Sequence, residues 1–298
     1  MEGQSSVYDQ RDQEIVTFGG YGPLPGGGVG YVNTTWEWDT YVFNLAASPG
    51  VTCRYCADHH PSPRAWGAMA YDPVSGQTIY FGGQNQAGYF GQTWAWIGSY
   101  TTGRWTELSP AHAPSARANE SLSWDETDGY MVLFGGQNAT TTFGDTWTFQ
   151  NDQWSQLSPT VSPAARAGAS MADDYTTHQL MLFGGWNPQT GIAYNDTWAF
   201  AGGVWTNITP AVSPIARYGA VFSDDSQDGT VWLFGGVTPN GVYLGDTWTW
   251  AHGSWVQDSN PRNSPPPSAF GSAGNDESDG NIMVFGGYNG NYLGGFYV

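Results

Sequence analysis

Phe-Gly-Gly occurs six times in this chain, beginning at Phe18, Phe81, Phe134, Phe183, Phe234 and Phe285. The intervals are 63, 53, 49, 51 and 51 residues. A repeat near fifty residues cannot be an ordinary globular core. Each unit buries its apolar faces against its neighbours, so the units must stack into an array or close into a ring. All 298 residues are therefore read as one domain despite the length.

Residues 217–255 show how one unit is built. Arg217-Tyr-Gly-Ala-Val-Phe-Ser enters a strand, and Asp224-Asp-Ser-Gln-Asp-Gly229 supplies hairpin-turn residues. Thr230-Val-Trp-Leu-Phe234 is a buried strand ending on Gly235-Gly236. Asp246-Thr-Trp-Thr-Trp250 alternates polar and aromatic residues as a third strand, His252-Gly253 turns the chain, and Ser254-Trp255-Val256 opens a fourth. Four antiparallel strands per unit around a ring make a β-propeller. The glycine pair allows close backbone approach near the channel. The third-strand tryptophans Trp36, Trp94, Trp147, Trp198 and Trp248 are expected to pack between blades.

These residues resemble the kelch-repeat family: an arginine-led entry strand, a hydrophobic strand into Gly-Gly, Asp-x-Trp, then a fourth-strand Trp. The resemblance implies an all-β, six-bladed kelch-type β-propeller with four antiparallel strands per blade. The blades span approximately 1–60, 61–113, 114–163, 164–214, 215–265 and 266–298. The Asp-Thr-Trp and Ser-Pro-x-x-Arg elements are similar to those of archaeal and bacterial surface proteins. The family implies no single activity, since it includes partner-binding adaptors, a copper oxidase and sugar-processing enzymes.

The pattern departs at its ends. Arg64, Arg117, Arg166 and Arg217 each precede their Phe by 17 residues, but Ser268 and Met1 hold that place in the sixth and first units. Blade six is expected to lack its outer strand, which makes residues 292–298 a candidate edge for strand addition or self-association.

Charge excludes some partners. There are 26 acidic residues against eight arginines and no lysine, for a net charge of -18. Nucleic acid and anionic lipid are disfavoured, and no apolar run is long enough to span a membrane. The chain begins without a signal peptide. Its Trp-rich, Thr/Asn-rich and lysine-free surface is read as extracellular or cell-surface. Five Asn-x-Ser/Thr sequons, at Asn33, Asn119, Asn138, Asn195 and Asn207, add little, because chance alone supplies about three.

The candidate site is the loop face after each Gly-Gly, which carries the arginine position as well. There Arg64, Arg117, Arg166 and Arg217 join the aromatic residues Trp66, Tyr218, Trp186 and Tyr288, in loops rich in amides. Aromatic plates with planar amides suit a glycan or a protein ligand. In kelch adaptors that bind acidic peptides, arginines at this entry position contact the ligand. The same repetition equally fits a structural role, with arginines bonding carbonyls between blades. Cys53, Cys56, His59 and His60 form a weak metal candidate, set against a local disulfide or free thiols. The acidic turns at Asp125, Asp225 and Asp276 faintly resemble calcium loops but sit where hairpins must turn.

No cofactor is implied. The oxidase constellation cannot be assembled from His59, His60, His112, His178 and His252. Glu120 is the one irregular acid near the channel, most simply an ion-pair partner of Arg117. The expected function is non-catalytic binding of a protein or glycan. A channel-mouth hydrolase or lyase, and a surface-assembly subunit, are the alternatives.

Overall fold

Each Phe-Gly-Gly lies on the second strand of an antiparallel sheet, and its Phe ends that strand in every repeat but the second, where the strand runs on to Asn85. The computed structural model describes residues 1–39, 42–47, 60–98, 103–225, 227–259, 264–276 and 281–297. Repeat one pairs Ser5–Asp9, Glu14–Phe18, Thr35–Asp39 and Val42–Ala47 in that order. Repeat two runs Ala65–Asp72, Gln77–Asn85, Thr93–Ile97 and Arg104–Leu108, with a two-residue strand added at Gly88–Tyr89. The third, fourth and fifth repeats keep the same four-strand order from inner strands Ser121–Asp125, Ser170–Asp174 and Val221–Asp225. The sixth has three described strands, Ser272–Asp276, Asn281–Phe285 and Phe296–Tyr297.

The fold is thus an all-β propeller with five complete four-stranded blades, where a six-bladed ring with an incomplete last blade was expected. The sixth repeat adds a three-stranded sheet. The inner strands adjoin one another in sequence order, and Ser272–Asp276 adjoins Ser5–Asp9, so the ring closes.

The glycine pair is an interblade seam. The second glycine donates its N–H to the carbonyl at the arginine position of the next repeat: Gly136 to Arg166, Gly185 to Arg217, Gly236 to Ser268 and Gly287 to Met1. The first glycine has φ near +70° at Gly135 and Gly184, and a Cβ there would lie 2.5–2.6 Å from that same carbonyl oxygen. No L side chain fits that position without strain. Met1 closes the ring as the arginines join the other blades. Its carbonyl accepts from Gly287, and its amino group donates to the Leu293 carbonyl at 2.8 Å.

The outer-strand tryptophan plugs the space between blades, and the third-strand Trp94 and Trp198 join the same interblade clusters, as expected. Trp105, Trp154, Trp205 and Trp255 are 2–3% exposed. Each donates its indole N–H to a threonine of the preceding blade: Thr35, Thr93, Thr146 and Thr197, at 2.8–2.9 Å. Each also meets the preceding Phe-Gly-Gly ring edge-on, at 5.1–5.3 Å. The third-strand Trp147, Trp198 and Trp248 instead donate to the aspartate two residues back. Asp-Thr-Trp therefore serves the blade wall through all three residues.

Candidate functional site

The arginine ring is the wall of the site and not its surface. Arg64, Arg117, Arg166 and Arg217 are 0–1% exposed. In Arg166 the Nε donates to the Ala164 carbonyl, Nη1 to the Gly184 carbonyl, and Nη1 and Nη2 grip both oxygens of Asp196 at 2.5 and 2.9 Å. Arg117 grips Asp145 and Arg217 grips Asp246 in the same way. Arg64 meets the neutral Gln92 at 2.8 Å, and Gln92 passes a hydrogen bond on to Glu107. Rings at 3.7–3.9 Å cover three of the guanidiniums: Phe90 over Arg64, Phe143 over Arg117 and Tyr194 over Arg166. The structure places these arginines as clamps inside the seam and not as exposed ligand contacts, because each is buried with four of its five N–H groups bonded within the protein. Burial alone would raise Asp145, Asp196 and Asp246. The arginine bonds outweigh it and hold all three below the usual carboxylate range.

Two residues past the arginine position, the backbone forms a closed belt. Gly3, Trp66, Asn119, Gly168, Gly219 and Phe270 each donate an N–H to the carbonyl of the preceding member, at 2.7–2.9 Å, and Gly3 completes the circle by donating to Phe270. All six have φ between +58° and +63°. Three are glycine, as that conformation asks. Trp66, Asn119 and Phe270 are not, and a bulky side chain at positive φ is a genuine outlier. Their neighbours make room. A Cβ on Gly3 would strike the Trp66 indole at 2.5 Å, and one on Gly219 would strike the Phe270 ring at 2.7 Å.

Above the belt lies a cavity of about 200 Å³, lined by Trp66, Gln84, Asn119, Gln137, Gly168, Trp186, Tyr218 and Phe270. Trp186 and Tyr218 stack at 4.8 Å with planes 13° apart, and Tyr218 reaches Phe270 at 5.9 Å. Across the mouth Trp66 meets Tyr21 and Tyr31, and Tyr21 leads on to Tyr292 and Tyr288. Among the expected residues, Trp66, Trp186 and Tyr218 share this cavity. Tyr288 stands outside it, on the rim. Phe270 and Asn119 were missed as site residues. The signal was present, since each lies two residues beyond a register position already counted.

Beneath the belt a cavity of about 120 Å³ contains one carboxylate, Glu120. It is not the ion-pair partner of Arg117, which is committed to Asp145. Glu120 is 7% exposed, and neither carboxyl oxygen has a well-formed hydrogen bond. Burial raises it to about 8, against weak help from backbone N–H groups and Arg117. Burial thus favours its protonated form.

The remaining candidates resolve simply. Cys53, Cys56 and His59 lie outside the described residues, while His60 Nδ1 bonds the Asn33 amide at 3.0 Å. No metal-ligating cluster occurs among the described residues. Asp125 accepts the N–H groups of Thr127 and Asp128, and Asp225 those of Gln227 and Asp228, which is turn capping.

A closed ring of antiparallel sheets joined at Gly-Gly seams, four of them clamped by a buried arginine, defines a propeller of the kelch kind. The family model for the Kelch-repeats domain of KLHDC2, KLHL20 and DRC7 matches residues 12–211, and the chain belongs to the kelch-repeat family. A solved structure described as "Structure of YjhT" superposes with a TM-score of 0.69 at 16% identity, covering 99% of this chain and 93% of that one. At that identity the likeness concerns the fold alone. No curated protein matches the sequence.

Proposed function

We propose that this propeller is a non-catalytic binding module, extracellular or at the cell surface, that takes a glycan into the aromatic mouth above the belt. The observation that carries this is the backbone of Trp66 and Phe270. Two large aromatic residues occupy a conformation that belongs to glycine, at a cost of order 1 kcal/mol or more each. Strain of this kind persists where the side chain has work to do. Here both rings line one cavity with Trp186, Tyr218 and the amides of Gln84, Asn119 and Gln137. Aromatic faces stack on the apolar face of a sugar ring, while amides bond its hydroxyls. The buried Gln137 Oε1 has no hydrogen-bond partner, so it is an acceptor that a ligand hydroxyl can satisfy. A hydrolase or lyase finds less support, because the cavity beneath the belt offers one carboxylate without a second.

The test is a glycan array with the wild type and Trp66→Gly, a variant that relaxes the backbone while removing the plate. Binding by the wild type and loss in the variant is expected. Silence of a folded wild type, or equal binding by the variant, overturns the reading. A peptide ligand lost in the same variant would assign the mouth to a protein partner.

A second reading rests on Thr247. Its hydroxyl is buried without a hydrogen bond, whereas Thr35, Thr93, Thr146 and Thr197 each accept from the next blade's outer-strand tryptophan. The sixth repeat has no such strand among the described residues. Strand addition at that edge by a second copy would supply the donor. Sedimentation of the protein with and without residues 292–298 tests it: concentration-dependent association lost on trimming supports it, and a monomer at all concentrations removes it.

A further inference from the structure

The opposite end of the channel holds another cavity, of about 160 Å³. Its wall takes one register position from each inner strand: Tyr8, Tyr71, Trp124, Asp173, Asp224 and Asn275, each opposite a second-strand residue of its own sheet. All six line it. Because the inner strands adjoin in sequence order, three aromatic residues stand together, followed by two acids and an amide. At this position the ring is aromatic over one half and polar over the other, with two acids and an amide.

The next position along each strand shows what a purely structural residue looks like in this fold. It is aspartate in all six repeats, at Asp9, Asp72, Asp125, Asp174, Asp225 and Asp276. In Asp9, Asp72 and Asp174, for example, Oδ1 accepts two N–H groups of the following turn. The cavity position follows no such rule: Tyr8 and Trp124 pack partly against the core, whereas acids or an amide hold the same place in the last three repeats.

Asp173 is the group that points to a ligand. It is 7% exposed, and neither of its carboxyl oxygens has a hydrogen-bond partner. Asp224, Asp125, Glu126 and Asp174 surround it with like charge. Among the described residues no arginine answers it. Arg11, whose backbone N–H reaches the Tyr71 hydroxyl, gives its guanidinium to Asp12 and the Gly76 carbonyl. Burial, and then the four neighbouring carboxylates, raise Asp173 to about 7. A buried, unbonded carboxyl in such company must hold a proton or a cation.

We propose that this mouth binds an organic cation of the alkylammonium class, seated between Tyr8, Tyr71 and Trp124 on one side and Asp173 and Asp224 on the other. Aromatic faces attract an ammonium and hold its apolar stem, and the carboxylates take its charge. A hard metal ion is the poorer fit. It asks for six or more oxygens, whereas half of this wall is aromatic and no three-ligand cluster occurs among the described residues. The net charge of -18 draws cations to the molecule.

Calorimetric titration with n-butylammonium at low salt tests this, at about pH 8.5 and about pH 5.5. The ligand stays cationic at both, whereas Asp173 loses its proton only at the higher. Binding is expected at the higher pH and roughly tenfold weaker at the lower. Asp173→Asn is expected to weaken binding at least tenfold and to flatten the pH dependence, with circular dichroism confirming the fold. Trp124→Leu gives an independent loss from the aromatic half, usable should Asp173→Asn not fold. Absence of saturable binding, or an Asp173→Asn protein that binds like the wild type, overturns the proposal. Calcium binding in preference to the amine also overturns it, by making the site a metal site. A short lysine peptide titrated alongside separates the two sources: tighter binding than butylammonium points to a protein side chain, and equal binding to a free amine.

Discussion

Replacing Asp196 by alanine measures what the buried clamp contributes. Arg166, 1% exposed, would keep the Ala164 and Gly184 carbonyls and the Tyr194 ring but lose both carboxylate oxygens. Removing one partner of a buried pair costs about 3–5 kcal/mol, because the surviving charge stays buried. The Asp196 side chain is 24% exposed, so water reaches the gap and the lower end, about 3 kcal/mol, applies. Trp198 loses its acceptor at 2.7 Å, worth about 1 kcal/mol more. The expected loss is therefore about 3–4 kcal/mol. Repeat two provides an internal control. Gln92→Ala removes a neutral acceptor while Arg64 keeps the Ser62 hydroxyl, the Ser62 carbonyl and the Gly82 carbonyl, for about 1–2 kcal/mol. Urea unfolding at neutral pH, followed by tryptophan fluorescence and circular dichroism together, compares the three proteins. The double change Arg166→Met, Asp196→Leu should recover part of the loss, since no charge is then left stranded. An Asp196→Ala protein within about 1 kcal/mol of wild type, or no weaker than Gln92→Ala, refutes the argument that charge pairing holds the seam.

Other expectations follow from single geometries. Gly184→Ala combines φ of +69° with a Cβ 2.6 Å from the Arg217 carbonyl oxygen, and should cost more than 2 kcal/mol in a denaturant titration, roughly the strain at one such position plus a forced backbone shift. Trp154→Phe keeps most of the plug but strands the Thr93 hydroxyl, for about 1–3 kcal/mol by the same assay. Trp66→Gly should be more stable than Trp66→Ala by about 1 kcal/mol, the reverse of the usual order, because only glycine relaxes at φ of +59°. Stability should also peak in mildly acid solution. The lowered Asp145, Asp196 and Asp246 contribute above the ordinary carboxylate range, near pH 4, and that contribution is lost as pH falls through their folded values. Glu120 and Asp173, raised chiefly by burial to about 8 and about 7, act oppositely, and their contribution declines as pH climbs from about 4 through those values. Melting temperatures at about pH 2.5, 4.5 and 8.5 should be highest at the middle value.

The fold was legible because its seams are written in residues that tolerate no substitute. Gly-Gly marks each place where the next blade's carbonyl lies against the chain, and a period near fifty does the rest. The clamp was legible too, though by comparing repeats and not by reading one. Arginine faces aspartate in repeats three, four and five; in repeat two Arg64 faces Gln92. In repeats one and six, Met1 and Ser268 replace the arginine, while Thr34 and Gly295 stand where the aspartate would. That joint disappearance says the two residues exist for each other, and it favours a structural arginine over a ligand-binding one. The mouth was harder to read. Whether an aromatic ring in a glycine-rich turn is a lid, as Tyr194 is, or a cavity wall, as Trp186 is, depends on which side of the belt it leaves, and no local pattern encodes that. What repetition does encode is the background against which exceptions stand out. Trp66 and Phe270 stand where three other repeats have glycine, Thr247 lacks the tryptophan that its four counterparts bond, and Asp173 sits at a position that varies from repeat to repeat. In a ring of near-copies the shared residues build the wall, so recognition must fall to the positions that differ.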